Sequence, residues 1–325
     1  MTHYKSSQTE EVVALDLLAI DTETTGVAWD DDAFMISMAT ADKTSVFDKR
    51  EESEADWYTI MGETWSALDN ADKIIMHNAK FDIQKLCRLG IPLDVFIDKF
   101  EDTQAIAHLI DEHQSTGLKK LAQKYLNETT DEDEVLKVWR RKNKMKKEDG
   151  YAPIPNEILA PYAAKDAEFT LRLYNLLWPR LPEDLHTLYQ TEKDLTIALL
   201  GIEARGMSVD TKYVLNKRKE YGDRIYKLKS RIGKIAGEEF NPQSHQQVLA
   251  ALEERGLVVS STSKESLAGL DDELAQLILE LREANKIKST YFDAMHEETR
   301  SGILHPNFRQ HGTRTGRMSS GAAEA

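Results

Sequence analysis

Short apolar runs separated by polar turns occupy the first third of the chain. The runs at 17–20, 34–39 and 44–47 predict three strands, and three consecutive aspartates at 30–32 predict a turn between the first two. The run at 73–77 predicts a fourth strand. Short apolar runs bounded by turn residues are typical of strands that are buried in a sheet.

Helical spacing of apolar residues alternates with these runs and then follows them. Strands followed by strand–helix alternation predict an α/β domain with a mixed sheet flanked by helices. The basic stretch 127–152 has no clear period and predicts a loop or a loose helix. The predicted helices of this part are 57–68, 81–89, 103–110, 117–126 and 156–178.

The pattern changes after about residue 182, because the rest of the chain is almost entirely helical in period. Predicted helices cover 184–205, 211–236, 244–255 and 271–291. The expected division is therefore an α/β domain at 12–183 and a mostly α-helical region at 184–320. A length of 325 residues suits two domains.

Composition places the chain among ordinary soluble globular proteins, with 41% hydrophobic and 30% charged residues. No apolar run is long enough to span a bilayer, so no membrane partner is expected. The first residues are polar and do not resemble a signal peptide. Cys87 is the single cysteine, which excludes an intrachain disulfide and agrees with a cytoplasmic location.

The net charge of −14 argues against nucleic acid as a partner, since nucleic-acid-binding proteins usually carry a basic surface. Three basic runs oppose that average. They lie between Lys137 and Lys147, between Lys212 and Lys234, and at Arg309, Arg314 and Arg317. Each alone is typical of a solvated surface; together they favour contact with DNA.

Two acidic residues close the first predicted strand. Asp21 and Glu23 are two residues apart, and side chains at that spacing in a strand point to the same face. Acidic strand ends are common, so this pair alone is weak evidence for a site.

Two further carboxylates lie in predicted helices, one at a helix start and the other on a helix face. Asp82 begins the helix after the fourth strand, where a carboxylate also serves simply to stabilise the helix N-terminus. Tyr162 and Asp166 are four residues apart on one helix face. The alternative for this pair is a solvent-facing aspartate beside a packed tyrosine.

Four carboxylates brought together would repel one another unless cations lay between them. Mg²⁺ and Mn²⁺ prefer such oxygen ligands, and two divalent ions in a carboxylate cluster commonly catalyse cleavage of phosphodiester bonds. The pattern therefore predicts a nuclease with two Mg²⁺ or Mn²⁺ ions.

The segments that carry these residues resemble the three exonuclease motifs of the DEDD superfamily, in its tyrosine-bearing branch. They are Ile20–Gly26, His77–Asp82 and Pro161–Asp166. This superfamily includes the proofreading domain of family A DNA polymerases and ribonuclease D. The segments Asp102–Thr103 and Leu118–Leu126 resemble the helices between the second and third motifs.

The resemblance implies a ribonuclease H-like fold and a 3′-5′ exonuclease that releases 5′-mononucleotides. Asp21, Glu23, Asp82 and Asp166 would hold the two ions, with Asp21 bridging them. Tyr162 would position the attacking water together with Glu23. The resemblance also implies that Asn78 and Phe81 flank the terminal nucleotide, although Phe81 is equally compatible with a place in the core.

Segments after residue 186 resemble the thumb of family A DNA polymerases. The most specific of them, residues 313–320, reads Thr-Arg-Thr-Gly-Arg-Met-Ser-Ser and is similar to a motif that helps to hold the primer–template. By this resemblance the DNA-binding residues of the region are Arg309, Thr313, Arg314, Arg317 and Ser319.

The resemblance covers residues 12 to 320. The palm aspartates and the nucleotide-binding helix of the fingers have no counterpart in the sequence. We therefore expect no polymerisation by this chain alone, and a separate palm-and-fingers chain would be its partner in DNA synthesis.

Two other functions remain open at this stage. The chain could be a non-catalytic half of a split polymerase that holds DNA and docks a partner. It could also be a stand-alone exonuclease that acts on RNA, like ribonuclease D. Release of nucleotides from a 3′-labelled single strand would distinguish an exonuclease from the non-catalytic half. A preference for DNA or for RNA would distinguish the DNA exonuclease from the RNA exonuclease.

Overall fold

The computed structural model describes residues 16–129, 131–146 and 149–321. Residues 12–15 of the expected first domain and Lys147 of the first basic run lie outside these ranges. Within the described residues, none of the helices has both the length and the apolar character that a membrane span requires.

A five-stranded mixed sheet forms the centre of the first part of the chain. Its order is β3-β2-β1-β4-β5; β1, β2 and β3 pair antiparallel, whereas β1, β4 and β5 run parallel. The predicted mixed sheet flanked by helices is confirmed. The strands are β1 Leu17–Thr24, β2 Ala33–Ala39, β3 Thr44–Asp48, β4 Lys73–Met76 and β5 Phe100–Asp102.

Among the residues that the structure describes, seven α-helices accompany this sheet. The stretch 127–152, predicted as a loop or a loose helix, contains a regular helix of 12 residues, α5. The helices are α1 Glu54–Asn70, α2 Ala79–Arg88, α3 Thr103–Ile110, α4 Leu118–Leu121, α5 Asp131–Lys142, α6 Asn156–Leu177 and α7 His186–Arg205, and α4 continues as a π-helical turn over Ala122–Leu126.

Both faces of the sheet are covered, which explains why its strands read as continuous apolar runs. Ile20 and Ile74 pack into one buried cluster together with Ile83 of α2. Ala19 and Ile75, their neighbours in sequence, belong to a second cluster that includes α3 and α6 residues. Alternate residues of a strand thus serve the two layers.

The chain forms two compact units. The boundary between them lies further along the chain than the boundary predicted at 183/184. The first unit continues to Ala204 and takes up the chain again from Pro306; the second is Arg205–His305. Helix α7 belongs to the first unit because its residue Tyr189 is buried in the core of that unit. The Tyr189 hydroxyl donates a hydrogen bond to Glu101. The domain boundary at 183/184 stays a prediction.

The second unit is mostly helical, with a core in which Leu228, Val248 and Leu281 are buried. The sequence did not predict its small three-stranded sheet, whose strands have only two residues each. Its elements are β6 Met207–Ser208, α8 Thr211–Ala236, α9 His245–Glu254, α10 Lys264–Ala268, α11 Glu273–Ile287, a π-helical turn Lys288–Asp293, α12 Ala294–Glu298, β7 Thr299–Arg300 and β8 Ile303–Leu304.

A final antiparallel pair, β9 Asn307–Arg309 and β10 Ser319–Gly321, belongs to the first unit. We call residues 307–321 the C-terminal hairpin. Lys80 of α2 anchors it, because the Nζ atom donates to the Phe308 carbonyl at 2.7 Å and to the Asn307 side chain at 3.0 Å. The same ammonium forms a largely buried ion pair with Glu203.

Asp102, at the end of β5, fixes the starts of two helices at once. One carboxylate oxygen accepts the N–H of Asn78 at 3.1 Å and that of Gln104 at 2.8 Å; the other accepts the N–H of Ala79 at 2.9 Å. Free N–H groups at helix N-termini need such acceptors. Asp102 therefore sets where α2 begins, relative to α3 and β5.

Replacing Asp102 by asparagine should destabilise the protein. Asparagine has one acceptor oxygen where aspartate has two, so a buried backbone N–H loses its partner. An unpaired buried donor costs about 1–3 kcal/mol, and urea denaturation would show this as a lower midpoint. Asp98→Asn, at an exposed carboxylate of the same segment, is the matched control. Equal midpoints for Asp102→Asn and the wild type would contradict this role.

Candidate metal centre

Strand β1 places Asp21 and Glu23 on one face, as the sequence predicts. Asp21 pairs with Ser37 of β2 and Glu23 with Met35, and the register shifts directly after Glu23. A bulge of this kind bends a strand and is frequent beside active sites. The two acids thus lie at the point where the regular ladder ends.

Helix α6 brings a third carboxylate to the same place. A ligand oxygen from each of Asp21, Glu23 and Asp166 lies within 4.8 Å of the others, and we call these three residues the carboxylate cluster. Glu23 and Asp166 are buried, at 4% and 6% exposed. Water screens such charges poorly, so the cluster has the composition and the spacing of a divalent-cation site.

Asp82 lies beside the cluster but is held by another partner. Its Oδ1 atom accepts the backbone N–H of Thr22 at 3.1 Å and the Thr22 hydroxyl at 2.7 Å. Its charge is nevertheless the strongest neighbouring influence on Asp21. Asp82 therefore contributes to the field at the cluster, and direct coordination by Asp82 stays a prediction.

The pKa values of all four acids are raised. Burial is the largest cause for each of them, and neighbouring carboxylates of this set raise the pKa of Asp21, Glu23 and Asp82 further. For Asp82 the pKa rises to about 7, against the hydrogen bonds from Thr22, which lower it. The ionised site is therefore unfavourable without positive charge, and these residues fit a divalent cation.

Tyr162 reaches the cluster from one turn earlier in α6. Its hydroxyl forms a hydrogen bond with Asp166, which lowers the pKa of that acid, and another with Tyr151. Burial holds the pKa of Tyr162 well above its usual value. The hydroxyl consequently keeps its proton and can serve as a hydrogen-bond donor at neutral pH.

Lys119 of α4 lies beside the carboxylate cluster and is a residue that the sequence analysis missed. Its ammonium group donates to Oδ1 of Asp166 and lies 4.0 Å from the centroid of the Tyr162 ring. Its neighbour Lys120 is exposed. Lys119 and Lys120 stand next to each other between two apolar residues. The sequence could distinguish them only by their positions around the helix, which decide the side to which each one points.

Asn78 and Phe81 flank the start of α2. Asn78 adopts the left-handed conformation at φ 66°, which asparagine tolerates better than most residues. Phe81 is half-buried, does not belong to the buried clusters of the described residues, and has the Lys85 ammonium 5.3 Å from its ring. Its placement thus disfavours the core alternative. Contact of both residues with a nucleotide stays a prediction.

The C-terminal hairpin contains the five other residues that were predicted to bind DNA. Ser319 pairs with Arg309 across the strands, and the Thr313 hydroxyl donates to the Arg317 carbonyl at 2.7 Å. Arg314 and Arg317 are exposed. Two guanidinium groups are thus accessible near the turn, where phosphate groups could reach them.

Models of two protein families match the chain. Residues 5–182 match the 3′-5′ exonuclease family, and residues 211–323 match DNA polymerase family A. The DNA polymerase I of Pseudomonas aeruginosa is 30% identical over 94% of the chain, which spans 36% of that relative. DNA polymerase DpoZ of Vibrio phage phiVC8 is also 30% identical over 94% of the chain, which spans 54% of it. The chain therefore covers about a third to a half of these relatives.

A solved structure has the same overall fold. It is the POL domain of Pol1 from M. smegmatis in a complex with DNA primer–template and dNTP. The TM-score is 0.67 at 21% sequence identity, over 93% of this chain and 51% of the other.

The raised pKa of Asp82 predicts that stability depends on pH when no metal is present. The pKa is 3.8 for the free side chain and about 7 in the fold. Between about pH 4 and pH 7 the folded state therefore binds more protons than the unfolded state, so stability falls as pH rises. One such group contributes a slope of at most about 1.4 kcal/mol per pH unit.

Urea denaturation in EDTA at a series of pH values would measure this slope. Asp82→Asn keeps an acceptor oxygen for Thr22 but cannot ionise, so its slope should be shallower than that of the wild type. Asp94→Asn is the control, at a carboxylate outside the cluster and its neighbours. Identical slopes for Asp82→Asn and the wild type would show that Asp82 ionises normally in the fold.

Proposed function

The chain belongs to the 3′-5′ exonuclease family and continues into sequence of DNA polymerase family A, and from this premise we propose that it hydrolyses DNA from the 3′ end. The observation that carries the proposal is the carboxylate cluster of Asp21, Glu23 and Asp166. The products would be 5′-mononucleotides, as in proofreading.

The donor set fits two Mg²⁺ or Mn²⁺ ions, held by Asp21, Glu23, Asp82 and Asp166. When bound, such ions supply positive charge for the phosphodiester and for the oxygen that leaves. Carboxylate oxygens are the ligands that these ions prefer. The raised pKa values support the assignment, because burial first and repulsion among the carboxylates second disfavour their ionised forms, and divalent cations would offset both.

Tyr162 and Glu23 would orient the attacking water. The Tyr162 hydroxyl retains its proton and would donate its hydrogen bond to the water oxygen in place of Asp166. Glu23, whose carboxylate lies in the same cluster, can accept a hydrogen bond from the water. Positioning of this kind lowers the barrier because the water is already aligned when it attacks.

The substrate would be a single-stranded 3′ end, with Asn78 and Phe81 beside the terminal nucleotide. A half-buried aromatic ring at the start of α2 suits stacking on a base, which needs no particular sequence. The exposed Arg314 and Arg317 support a second contact, in which the C-terminal hairpin holds the phosphates of a primer–template. The names of the relatives favour DNA over RNA as the nucleic acid.

Removing two cluster residues should abolish nucleotide release. We expect Asp21→Ala with Glu23→Ala to fold, since loss of two carboxylates relieves repulsion, and to leave 3′-labelled single-stranded DNA intact in the presence of Mg²⁺. Circular dichroism and release of labelled mononucleotide measure the two effects. Glu51→Ala with Glu52→Ala, at an exposed acidic pair, is the control and should remain active.

Several outcomes of this assay would contradict the proposal. Full activity of the Asp21 and Glu23 double variant would remove the metal-ligand assignment. A wild-type chain that binds DNA but releases no nucleotide would favour a non-catalytic DNA-holding function. Faster release from an RNA strand than from the matched DNA strand would favour the ribonuclease D-like alternative.

Tyr162→Phe should separate water positioning from metal binding. Loss of one positioning hydrogen bond should slow hydrolysis by roughly tenfold to a thousandfold, while the affinity for Mn²⁺ stays close to that of the wild type. Single-turnover release of labelled nucleotide and isothermal titration with Mn²⁺ provide the measurements. Tyr58→Phe, at a side chain that is 68% exposed, is the control. A wild-type rate in Tyr162→Phe would make Tyr162 a packing residue.

A further inference from the structure

We propose that Lys119 is an internal counter-cation of the carboxylate cluster, which neutralises Asp166 in the metal-free protein and competes with divalent ions for it. This inference rests on the proposed function, because it concerns how the same site takes up its metal. It assigns a positioning role to a residue outside the three exonuclease motifs.

The contacts of Lys119 place its charge inside the site. Its ammonium group forms an ion pair with Asp166, and the side chain is only 18% exposed. The charge also lowers the pKa of Asp21 and of Glu23, so it acts on every member of the cluster. One lysine thus provides the positive charge that the three acids share in the absence of metal.

The charge balance explains why the ion pair between Lys119 and Asp166 would break when a metal ion binds. Three carboxylates and one ammonium group leave the cluster negative, so it still attracts a divalent ion. An ion at Oδ1 of Asp166 would meet the ammonium group at the same oxygen and repel it. Uptake of metal therefore requires Lys119 to give up its bond to Asp166.

The surroundings offer the displaced ammonium group a second place close by. It already lies 4.0 Å from the centroid of the Tyr162 ring and 5.5 Å from that of Phe169. Aromatic faces attract cations, most strongly where water is partly excluded. A small rotation of the side chain would keep the charge near these rings and free the carboxylate.

Two consequences follow from an internal competitor. Without metal, Lys119 stabilises the folded protein, because removing one partner of a buried ion pair leaves the other charge uncompensated. With metal, the same contact lowers the affinity, since part of the binding energy is used to displace the ammonium group. Loss of the lysine charge should therefore lower the stability of the metal-free protein and raise its affinity for metal.

The test compares Lys119→Met with the wild type in two measurements without DNA. The thermal midpoint of unfolding in EDTA should fall by several degrees. The Kd for Mn²⁺, from the electron paramagnetic resonance signal of free Mn²⁺, should fall about tenfold, which corresponds to about 1.4 kcal/mol. Lys120→Met, at the exposed neighbour, is the matched control and should change neither quantity. Lys119→Arg retains the charge and should restore both toward wild-type values.

Lys119→Gln covers the case in which the methionine variant fails to fold without metal. It keeps a hydrogen-bond donor for Asp166 and removes only the charge, so its Kd should also fall. An unchanged or weaker affinity for Mn²⁺ in the folded variant, with normal binding by the wild type, would overturn this inference alone. A wild-type protein that binds no Mn²⁺ would instead overturn the proposed function.

Discussion

Repulsion among carboxylates that are buried or half-buried is the constraint on which the site depends. Asp21, Glu23 and Asp166 share a space in which water screens their charges poorly, and burial alone already raises the pKa of each. Such a cluster persists only where the backbone holds it and positive charge balances it. Strand β1 and helix α6 supply the first condition, through ladder hydrogen bonds and packing in the sheet core. Lys119 supplies part of the second, and divalent ions are suited to supply the rest.

Helix α2 connects the cluster to other parts of the first unit. Asp102 accepts the free N–H groups at its start, Thr22 binds Asp82 within it, and Lys80 bonds to Glu203 and to β9 of the C-terminal hairpin. All three interactions occur in the first turn of one helix. A displacement of that turn would therefore disturb both the acid beside the cluster and the strand that leads to the exposed arginines. The position of α2 thus couples the two surfaces that we assign to nucleic acid.

The sequence predicted those features that repeat over many residues. Strands β1 to β4 appear as apolar runs bounded by turn residues, the long helices carry a period over several turns, and the shared face of Asp21 and Glu23 follows from strand alternation. Strand β5 and strands β6 to β10 have only two or three residues each, which is too short for any period to appear. Lys119 was missed because local composition does not distinguish it from Lys120. Only the tertiary fold decides which of two adjacent lysines enters the cluster, and likewise that α7 packs with the first unit.

A net charge of −14 is consistent with a protein that acts on DNA at two local sites. Acidic surface elsewhere repels the phosphate backbone and so discourages non-specific binding. The C-terminal hairpin opposes this repulsion locally, because Arg314 and Arg317 are exposed near its turn and can approach phosphates. At the carboxylate cluster the charge that offsets this repulsion must come from cations, since three carboxylates would otherwise exclude a phosphodiester. Under the proposed function, metal uptake would change the sign of the interaction between the site and its substrate, and the occupancy of the cluster would decide whether a 3′ end can enter.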